Sequence, residues 1–149
     1  MASEPPPPPE PQRSGDSFAA GMPGSPVNRR LGIVTEDLEG GAVRLSLETD
    51  GSFHNELGFV HGGIAAFLLD GAMGRAIGRC LGPGELCATV ELSIQFLAPA
   101  QGRLAAQAQV DKLGRQVAFA SAECRRADGV VVARAHGTWA LKRRSRSQP

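Results

Sequence analysis

Residues 63–81 form the only candidate for a long helix in the chain, and this segment is apolar on nearly every side. A stripe of apolar side chains at helical spacing predicts one face against a core, and further apolar residues cover most of the remaining surface. The segment is therefore predicted to be a buried helix. Each glycine in a helix interior costs about 1 kcal/mol relative to alanine, so the glycines here indicate that another backbone approaches closely. These glycines are Gly71, Gly74 and Gly78.

Segments with strand character lie on both sides of this helix, two before it and four after it. The clearest is the segment from Leu86 to Phe96, in which apolar and polar side chains alternate strictly. The loop 50–62 shows no period and leads into the helix. Because one apolar helix can cover one face of a sheet, the sequence predicts an α+β fold in which a curved antiparallel sheet wraps around one long central helix. The strands are expected at 31–38, 42–49, 86–96, 103–112, 115–125 and 130–141.

The folded domain is expected to span residues 28–141. Residues 1–27 carry five consecutive prolines and few large apolar side chains, so this proline-rich arm is predicted to be extended and largely disordered. Residues 142–149 form a short basic tail. A domain of this size gains stability from association, and an edge strand needs cover. We therefore expect at least a homodimer.

Charge and composition weigh against several classes of partner. The formal net charge is +1, so no strong field favours nucleic acid or an anionic membrane. No apolar run approaches the roughly twenty residues that span a bilayer, and the N-terminus lacks a secretory signal pattern. The three cysteines, an odd number at spacings unlike those of metal clusters, are predicted to be reduced. We therefore expect a cytoplasmic protein that binds neither nucleic acid nor membrane.

Asp70 is the residue that most needs an explanation, because a carboxylate on an apolar helix is unfavourable unless it is solvated, paired or functional. No lysine or arginine lies three or four residues from it. Gly62 and Gly63 mark the point where the loop becomes the helix, and a helix N-terminus exposes unpaired N–H groups. Such donors can polarise a carbonyl oxygen as an oxyanion hole. Together with Asn55 upstream, the pattern indicates acyl transfer without a serine or cysteine nucleophile.

The stretch from Asn55 to Asp70 resembles the signature of hotdog-fold thioesterases of the PaaI-like type: an Asn, a Gly, then His-Gly-Gly, then an acidic residue seven positions after the last glycine. The resemblance covers residues 30–141 and continues in the strand and hairpins after the helix. The later similar segments are 89–99, 114–119 and 128–133. The resemblance implies an acyl-CoA thioesterase that releases a free carboxylic acid and CoA, with no metal and no organic cofactor.

The roles of the family's residues carry over to the matching positions. Asp70 corresponds to the catalytic acid, acting as nucleophile or as general base for water, and the Gly62 N–H corresponds to the group that polarises the thioester carbonyl. Asn55 corresponds to the residue that holds the carbonyl or the water, and Thr89 to a hydroxyl residue that positions water. His61 takes a supporting role in the loop. In related enzymes the active sites lie between subunits, which would let Thr89 serve the catalytic acid of a partner chain and implies a homo-oligomer, either a dimer or a dimer of dimers.

Two other functions stay open. A hotdog-fold dehydratase or hydratase would use His61 with Asp70 as an acid–base pair, although the Gly-Asp, Asn-Pro and His signature of hydratases is absent. A non-catalytic acyl-CoA-binding protein would hold the ester without releasing product. A metal site formed by His54, His61 and Asp70 matches no common spacing. Five cations are candidates for holding the CoA phosphates, and the sequence does not rank them: Arg79, Lys112, Arg115, Arg125 and Arg126.

Overall fold

The computed structural model describes residues 25–143, and the expectations for residues 1–24 and 144–149 lie outside this range. In chain order its helices and strands are α1 (Pro26–Leu31), β1 (Val34–Asp37), β2 (Val43–Leu47), α2 (Gly62–Gly78), β3 (Leu86–Phe96), β4 (Leu104–Leu113), β5 (Val117–Arg126) and β6 (Val131–Lys142). All six predicted strands are present, with ends shifted by a few residues, and α2 is the predicted central helix. No helix in the described range is long and apolar enough to cross a membrane.

The six strands form one antiparallel sheet in the order β1-β2-β4-β5-β6-β3. Strand β3 follows α2 directly along the chain, yet it lies at the edge of the sheet, where it pairs with β6. Helix α2 packs across strands β2 to β6 and covers one face of the sheet. The predicted α+β architecture, a curved antiparallel sheet around one long helix, is confirmed.

The core lies between α2 and the sheet. Its fully buried side chains include Leu68 from the helix and Leu45 and Trp139 from the sheet. A Cβ at Gly71 would lie 2.9 Å from Leu45 Cδ2, and a Cβ at Gly74 would lie 3.6 Å from Trp139 Nε1. Gly71 therefore allows a close approach, as predicted, but its neighbour is a side chain of the sheet and not a second backbone; at Gly74 a Cβ would make an ordinary van der Waals contact.

Helix α1 is a difference from the sequence prediction, which placed the start of β1 at Leu31. The side chain of Ser25 accepts a hydrogen bond from the Asn28 N–H at 3.3 Å, and Pro26 occupies the first turn. Gly32 ends the helix in the left-handed region at φ 73°. Proline at the start of a helix and glycine just past its end are a favoured pair, so a short helix forms where a strand was expected.

Regular structure begins and ends within two residues of the expected bounds of the folded domain. Helix α1 begins at Pro26, two residues before the expected start at residue 28. At the other end β6 extends to Lys142, and the Arg143 guanidinium donates to the Gly114 carbonyl at 3.2 Å. The division of the chain into arm, domain and tail stays a prediction, because most of the arm and the tail lies outside the described residues.

A β-bulge at Val90 interrupts the alternation of β3. Thr89 and Glu91 pair with consecutive residues of β6, so Val90 has no partner of its own. An extra residue of this kind reverses which side chains face the core. The prediction of one unbroken alternation over residues 86–96 is therefore wrong. The β3 side chains that pack against the core are odd-numbered before the bulge and even-numbered after it: Cys87, Leu92 and Ile94.

Candidate active site

The N-terminus of α2 is capped by a histidine. The His61 ring accepts a hydrogen bond from the Gly63 N–H at Nδ1, 2.9 Å away, and the His61 carbonyl accepts from the Ile64 N–H at 2.9 Å. The Gly62 N–H is the first of the helix and has no intrahelical acceptor. No other group in the described part of the chain accepts from it. One donor is therefore left open at the positive end of the helix dipole.

The two glycines at this end have close side-chain neighbours. A Cβ at Gly63 would lie 3.0 Å from His61 Nδ1, so a side chain there would crowd the cap. A Cβ at Gly62 would lie 3.0 Å from Cε1 of Phe96, whose ring packs against the glycine. The open N–H of Gly62 thus lies beside an aromatic ring.

Asn55 organises the loop that precedes the helix. Its side-chain Oδ1 accepts from the Leu57 N–H at 3.0 Å and from the Phe59 N–H at 3.2 Å. Its own backbone N–H donates to the Phe59 carbonyl at 2.7 Å. The loop is joined to the rest of the domain by the Val60 N–H, which donates to the Ala100 carbonyl at 2.9 Å. The side-chain oxygen of Asn55 is therefore occupied, and its NH₂ group is what remains for a ligand.

Asp70 lies on α2 and is half-buried against β3. Thr89 Oγ1 donates to Asp70 Oδ1 at 2.8 Å. The second carboxylate oxygen has no hydrogen-bond partner among residues 25–143. The bulge at Val90 is what brings Thr89 to this face of the sheet, because without it Thr89 would lie on the face opposite Leu92 and Ile94. One carboxylate oxygen is thus held in place and the other is available.

Cys87 also faces the helix beside this carboxylate, two residues before Thr89. Its thiol donates to the Gly74 carbonyl, with Sγ 3.7 Å from the oxygen. Burial raises the pKa of the Cys87 thiol, and the negative charge of Asp70 raises that pKa further. The thiol therefore stays protonated at neutral pH, which agrees with a site that does not use a cysteine nucleophile.

The predicted site residues fall into two groups within one chain. Asn55, His61 and Gly62 meet at the N-terminal end of α2, whereas Asp70 and Thr89 meet two turns further along. A helix rises about 1.5 Å per residue, so Gly62 and Asp70 are about 12 Å apart along its axis. Thr89 bonds the Asp70 of its own chain, which differs from the arrangement between chains that the resemblance suggested.

Some of the candidate phosphate-binding cations already bind other groups of the chain, and others do not. Arg79 donates to the Ala42 carbonyl at 3.1 Å and lies 3.8 Å from Asp37. Arg125 and Arg126 form ion pairs at 2.6 and 2.7 Å with acidic neighbours. Of the five candidates, the two exposed residues Lys112 and Arg115 have no ion-pair or hydrogen-bond partner among residues 25–143, and both lie at the hairpin between β4 and β5.

Two features of this region were not predicted from the sequence. The sequence identified Phe96 only as an apolar residue of β3, and its contact with Gly62 depends on the bulge at Val90, six residues before it. The three cysteines were predicted only to be reduced, and no sequence signal places Cys87 beside Asp70. Across residues 25–143 no group of three His, Cys, Asp or Glu side chains is arranged to hold a metal ion.

Comparison with known proteins points to one family. The family model described as the Thioesterase superfamily matches residues 57–133. A phenylacetic-acid-degradation-related protein of Ralstonia eutropha is 32% identical, with a TM-score of 0.74, covering 83% of this chain and 95% of that one. The BH2602 protein of Bacillus halodurans, solved with CoA, is 30% identical, with a TM-score of 0.75 and 82% of each chain covered.

A curated relative is consistent with this family. A protein of Halobacterium salinarum, whose name proposes an esterase activity, is 38% identical over 100 residues. The match covers 60% of this chain and 63% of that protein, so the chain spans less than two thirds of the relative's length. The family match and the hotdog fold of the neighbours agree with the resemblance noted in the sequence. The chain belongs to the thioesterase superfamily.

Proposed function

We propose that the chain hydrolyses acyl-CoA thioesters to a free carboxylic acid and CoA, with the Asp70 carboxylate as the catalytic group. The observation that carries the proposal is the 2.8 Å bond from Thr89 Oγ1 to Asp70 Oδ1. This bond orients a half-buried carboxylate and leaves one oxygen for chemistry. The likeness to the Bacillus halodurans protein, which was solved with CoA, supports CoA as the thiol half of the substrate.

Asp70 can act in either of two ways. As a nucleophile, its free oxygen attacks the carbonyl carbon, the C–S bond breaks, CoA leaves as the thiolate, and water hydrolyses the resulting anhydride. As a general base, the carboxylate takes a proton from water, the water oxygen attacks the carbonyl carbon, and the proton passes to the departing thiolate. In both routes negative charge develops on the carbonyl oxygen, where the Gly62 N–H can stabilise it. Neither route needs a metal ion or an organic cofactor.

Asn55 and His61 support this chemistry from the N-terminal end of α2. The Asn55 NH₂ group is the donor left over from the loop, and it can hold the thioester carbonyl or the attacking water. His61 occupies the Gly63 N–H, so the Gly62 N–H is the open donor of the first turn. His61 therefore acts on the substrate through the helix end that it orders.

The distance between the Gly62 N–H and the Asp70 carboxylate of one chain favours a substrate that binds between two chains. A carbonyl oxygen bound to Gly62 lies about 12 Å along the helix from the Asp70 of the same chain, too far for attack. Strand β3 lies at the edge of the sheet, and the backbone groups of an edge strand are open to pairing. A second copy pairing antiparallel with β3 would bring the Phe96 end of one strand beside the Thr89 end of the other. The Gly62 N–H would then meet the partner subunit's Asp70, so we propose a homodimer as the smallest active unit.

The first test measures thiol release from short, medium, long and aromatic acyl-CoAs by wild type and Asp70→Asn. We expect turnover by wild type and a loss of at least about a hundredfold in the variant, equivalent to about 2.7 kcal/mol in barrier. Asp111→Asn is the matched control, because Asp111 is an exposed carboxylate bonded to Ser121 on β5, and it should retain activity. Full turnover by a folded Asp70→Asn variant would contradict the proposed role.

The same samples separate the rival functions. Tight binding of CoA esters with no thiol release would favour the binding protein. Addition of water to an enoyl-CoA without thiol release would favour the hydratase. Within one chain His61 and Asp70 are nine residues apart on the helix and cannot act as a local acid–base pair.

A hybrid dimer tests the site between chains. One subunit carries Asp70→Asn and the other carries Gly62→Pro, which lacks the N–H donor. A shared site pairs each subunit's Gly62 with the carboxylate of its partner, so one of the two sites in this hybrid has both groups intact. Random mixing makes half of the dimers hybrids, and we expect about a quarter of wild-type activity from two nearly inactive parents. No recovery in verified hybrids would show that each site lies within one chain.

A further inference from the structure

We propose that Phe96 forms the wall of the acyl side of the site and determines which acyl groups are accepted. This inference rests on the proposed thioesterase function and adds a specificity residue to it. Neither the sequence motif nor the pair of Asp70 with Thr89 assigns a role to this ring.

The contact with Gly62 is the first observation. The Phe96 ring packs against Gly62 closely enough that a Cβ there would lie 3.0 Å from Cε1 and 3.4 Å from Cζ. The ring therefore adjoins the peptide whose N–H would hold the thioester carbonyl oxygen. A carbonyl bound at this N–H would place its substituents within reach of the ring, because the hydrogen bond and the C=O bond together span only about 4 Å.

The exposure of the ring is the second observation. Phe96 is 58% exposed although it contacts the end of a buried helix. This exposure is measured within one chain, and Phe96 lies on the edge strand β3 that the proposed second copy would pair with, so the ring would lie in the site between the two copies. Leu57, in the turn held by Asn55 that leads into α2, is also strongly exposed. A ligand that covers this end of the helix therefore meets an apolar surface next to a single polar donor.

The position of the ring is fixed by the strand. Phe96 pairs with Ala133 of β6, and the Leu97 N–H that follows donates to the Val132 carbonyl at 2.8 Å. The bulge at Val90 turns the even-numbered residues that follow it toward the helix, Phe96 included. The same bulge turns Thr89 toward Asp70. One irregularity thus directs both a polar group and an aromatic ring to the helix face, which is the face a substrate would occupy.

The chemistry of the ring favours the acyl half of the substrate over the CoA half. The CoA arm carries amides and phosphates, whereas the acyl group beyond its carbonyl is apolar. An aromatic ring stabilises apolar groups through the area it removes from water, and it offers no hydrogen bond to an amide or phosphate. We therefore expect Phe96 to contact the acyl carbons that follow the carbonyl carbon, so that its effect grows with the size of the acyl group.

The experiment compares kcat/KM for acetyl-, hexanoyl-, decanoyl- and phenylacetyl-CoA in wild type, Phe96→Ala and Phe96→Leu. We expect Phe96→Ala to lower kcat/KM roughly tenfold or more for the best large acyl group and less than about threefold for acetyl-CoA. Leucine should restore part of the preference for aliphatic chains. Phe119→Ala is the matched control, because Phe119 is also exposed (40%) and lies on β5 between the buried residues Ala118 and Ala120, facing away from α2. It should leave the acyl preference unchanged.

Each result that contradicts the role of Phe96 has its own meaning. An equal loss for all four esters would mean that the ring contacts the CoA half or only supports the fold, and it would overturn the proposal. Unchanged values would overturn it too. Dissociation of the Phe96→Ala assembly, seen by size-exclusion chromatography with no change in acyl preference, would assign the ring to the contact between copies. Absence of thiol release by wild type would instead refute the proposed function on which the inference rests.

Discussion

Replacing Gly62 with proline tests the oxyanion donor while leaving the helix in place. Proline is well tolerated at the first position of a helix, where its missing N–H has no intrahelical partner. His61, the residue before it, has φ −57° and ψ 135°, which lies in the range that a residue before proline prefers. The substitution therefore removes one hydrogen-bond donor and adds atoms beside the Phe96 ring, where a Cβ would lie 3.0 Å from Cε1.

Loss of a single oxyanion donor typically lowers kcat by about 10² to 10³, or about 2.7 to 4 kcal/mol. The loss falls on kcat more than on KM, because the bond strengthens as charge develops on the oxygen in the transition state. Gly62→Ala is the matched control, since it adds the same Cβ against Phe96 but keeps the N–H. We expect the alanine variant to lose less than about tenfold, and the ratio of the two variants isolates the donor.

The assay is steady-state thiol release with the ester that wild type hydrolyses best, together with circular dichroism and thermal unfolding of each variant. A folded Gly62→Pro variant with kcat within about threefold of Gly62→Ala would refute Gly62 as the donor. Equal and severe losses in both variants would show that the packing of Phe96 against this glycine, and not the N–H, limits turnover.

Two further predictions concern stability. Gly71→Ala should be less stable than Gly74→Ala by about 1–3 kcal/mol in urea unfolding. Both substitutions gain helix propensity, but only the first forces a Cβ to 2.9 Å from Leu45 Cδ2. Equal urea midpoints for the two variants would contradict this packing. Asp37 accepts two hydrogen bonds from Arg75, and this contact lowers the pKa of the Asp37 carboxyl. Its stabilising contribution is therefore complete above the ordinary aspartate pKa of about 3.9 and is lost as the pH falls through the lower folded value. Asp37→Asn should be less stable than wild type at pH 7, and its unfolding free energy should fall less steeply below pH 4; parallel pH profiles would show that the pair contributes nothing.

Much of the fold could be predicted because its main signals are local. The apolar surface of α2 and the alternation in the later strands identify the elements, and the single long helix leaves one way to cover the sheet. Helix α1 was missed although its signals were present, since Ser25 and Pro26 at its start and Gly32 at its end are residues typical of helix termini. A short helix with no buried residue carries no periodic pattern that would outweigh a strand assignment.

The bulge in β3 could not be predicted from β3 itself. Its residues alternate without a break, and no glycine or proline marks Val90. The neighbouring strand carries a residue that accommodates it: Gly137 lacks a Cβ that would fall 2.6 Å from the Glu91 carbonyl oxygen. A residue on β6 thus permits an irregularity on β3, and only the pairing of the two strands reveals it. The contact between Phe96 and Gly62 was missed for the same reason.

The motif identified the residues of the candidate site, but it did not predict which of them lie close together. The motif sets the sequence spacing of Gly62 and Asp70, and the rise of a helix converts that spacing into a separation of about 12 Å. The resemblance paired Thr89 with a partner chain, whereas its hydroxyl lies 2.8 Å from the carboxylate of its own chain. The role of Asn55 also needed the structure, because its side-chain oxygen is engaged in the loop and only its NH₂ group remains free.

The Val90 bulge fixes how many residues can separate Thr89 from Phe96 if both are to face the helix. Deletion of Val90 would remove the bulge and leave simple alternation, in which the two residues are six positions apart and still share a face. An insertion between them, or a deletion that leaves the bulge in place, would turn one of the two to the opposite face. During divergence a one-residue deletion in this strand should therefore be tolerated only where it removes the bulge itself, and other insertions and deletions should be confined to the turns at its two ends.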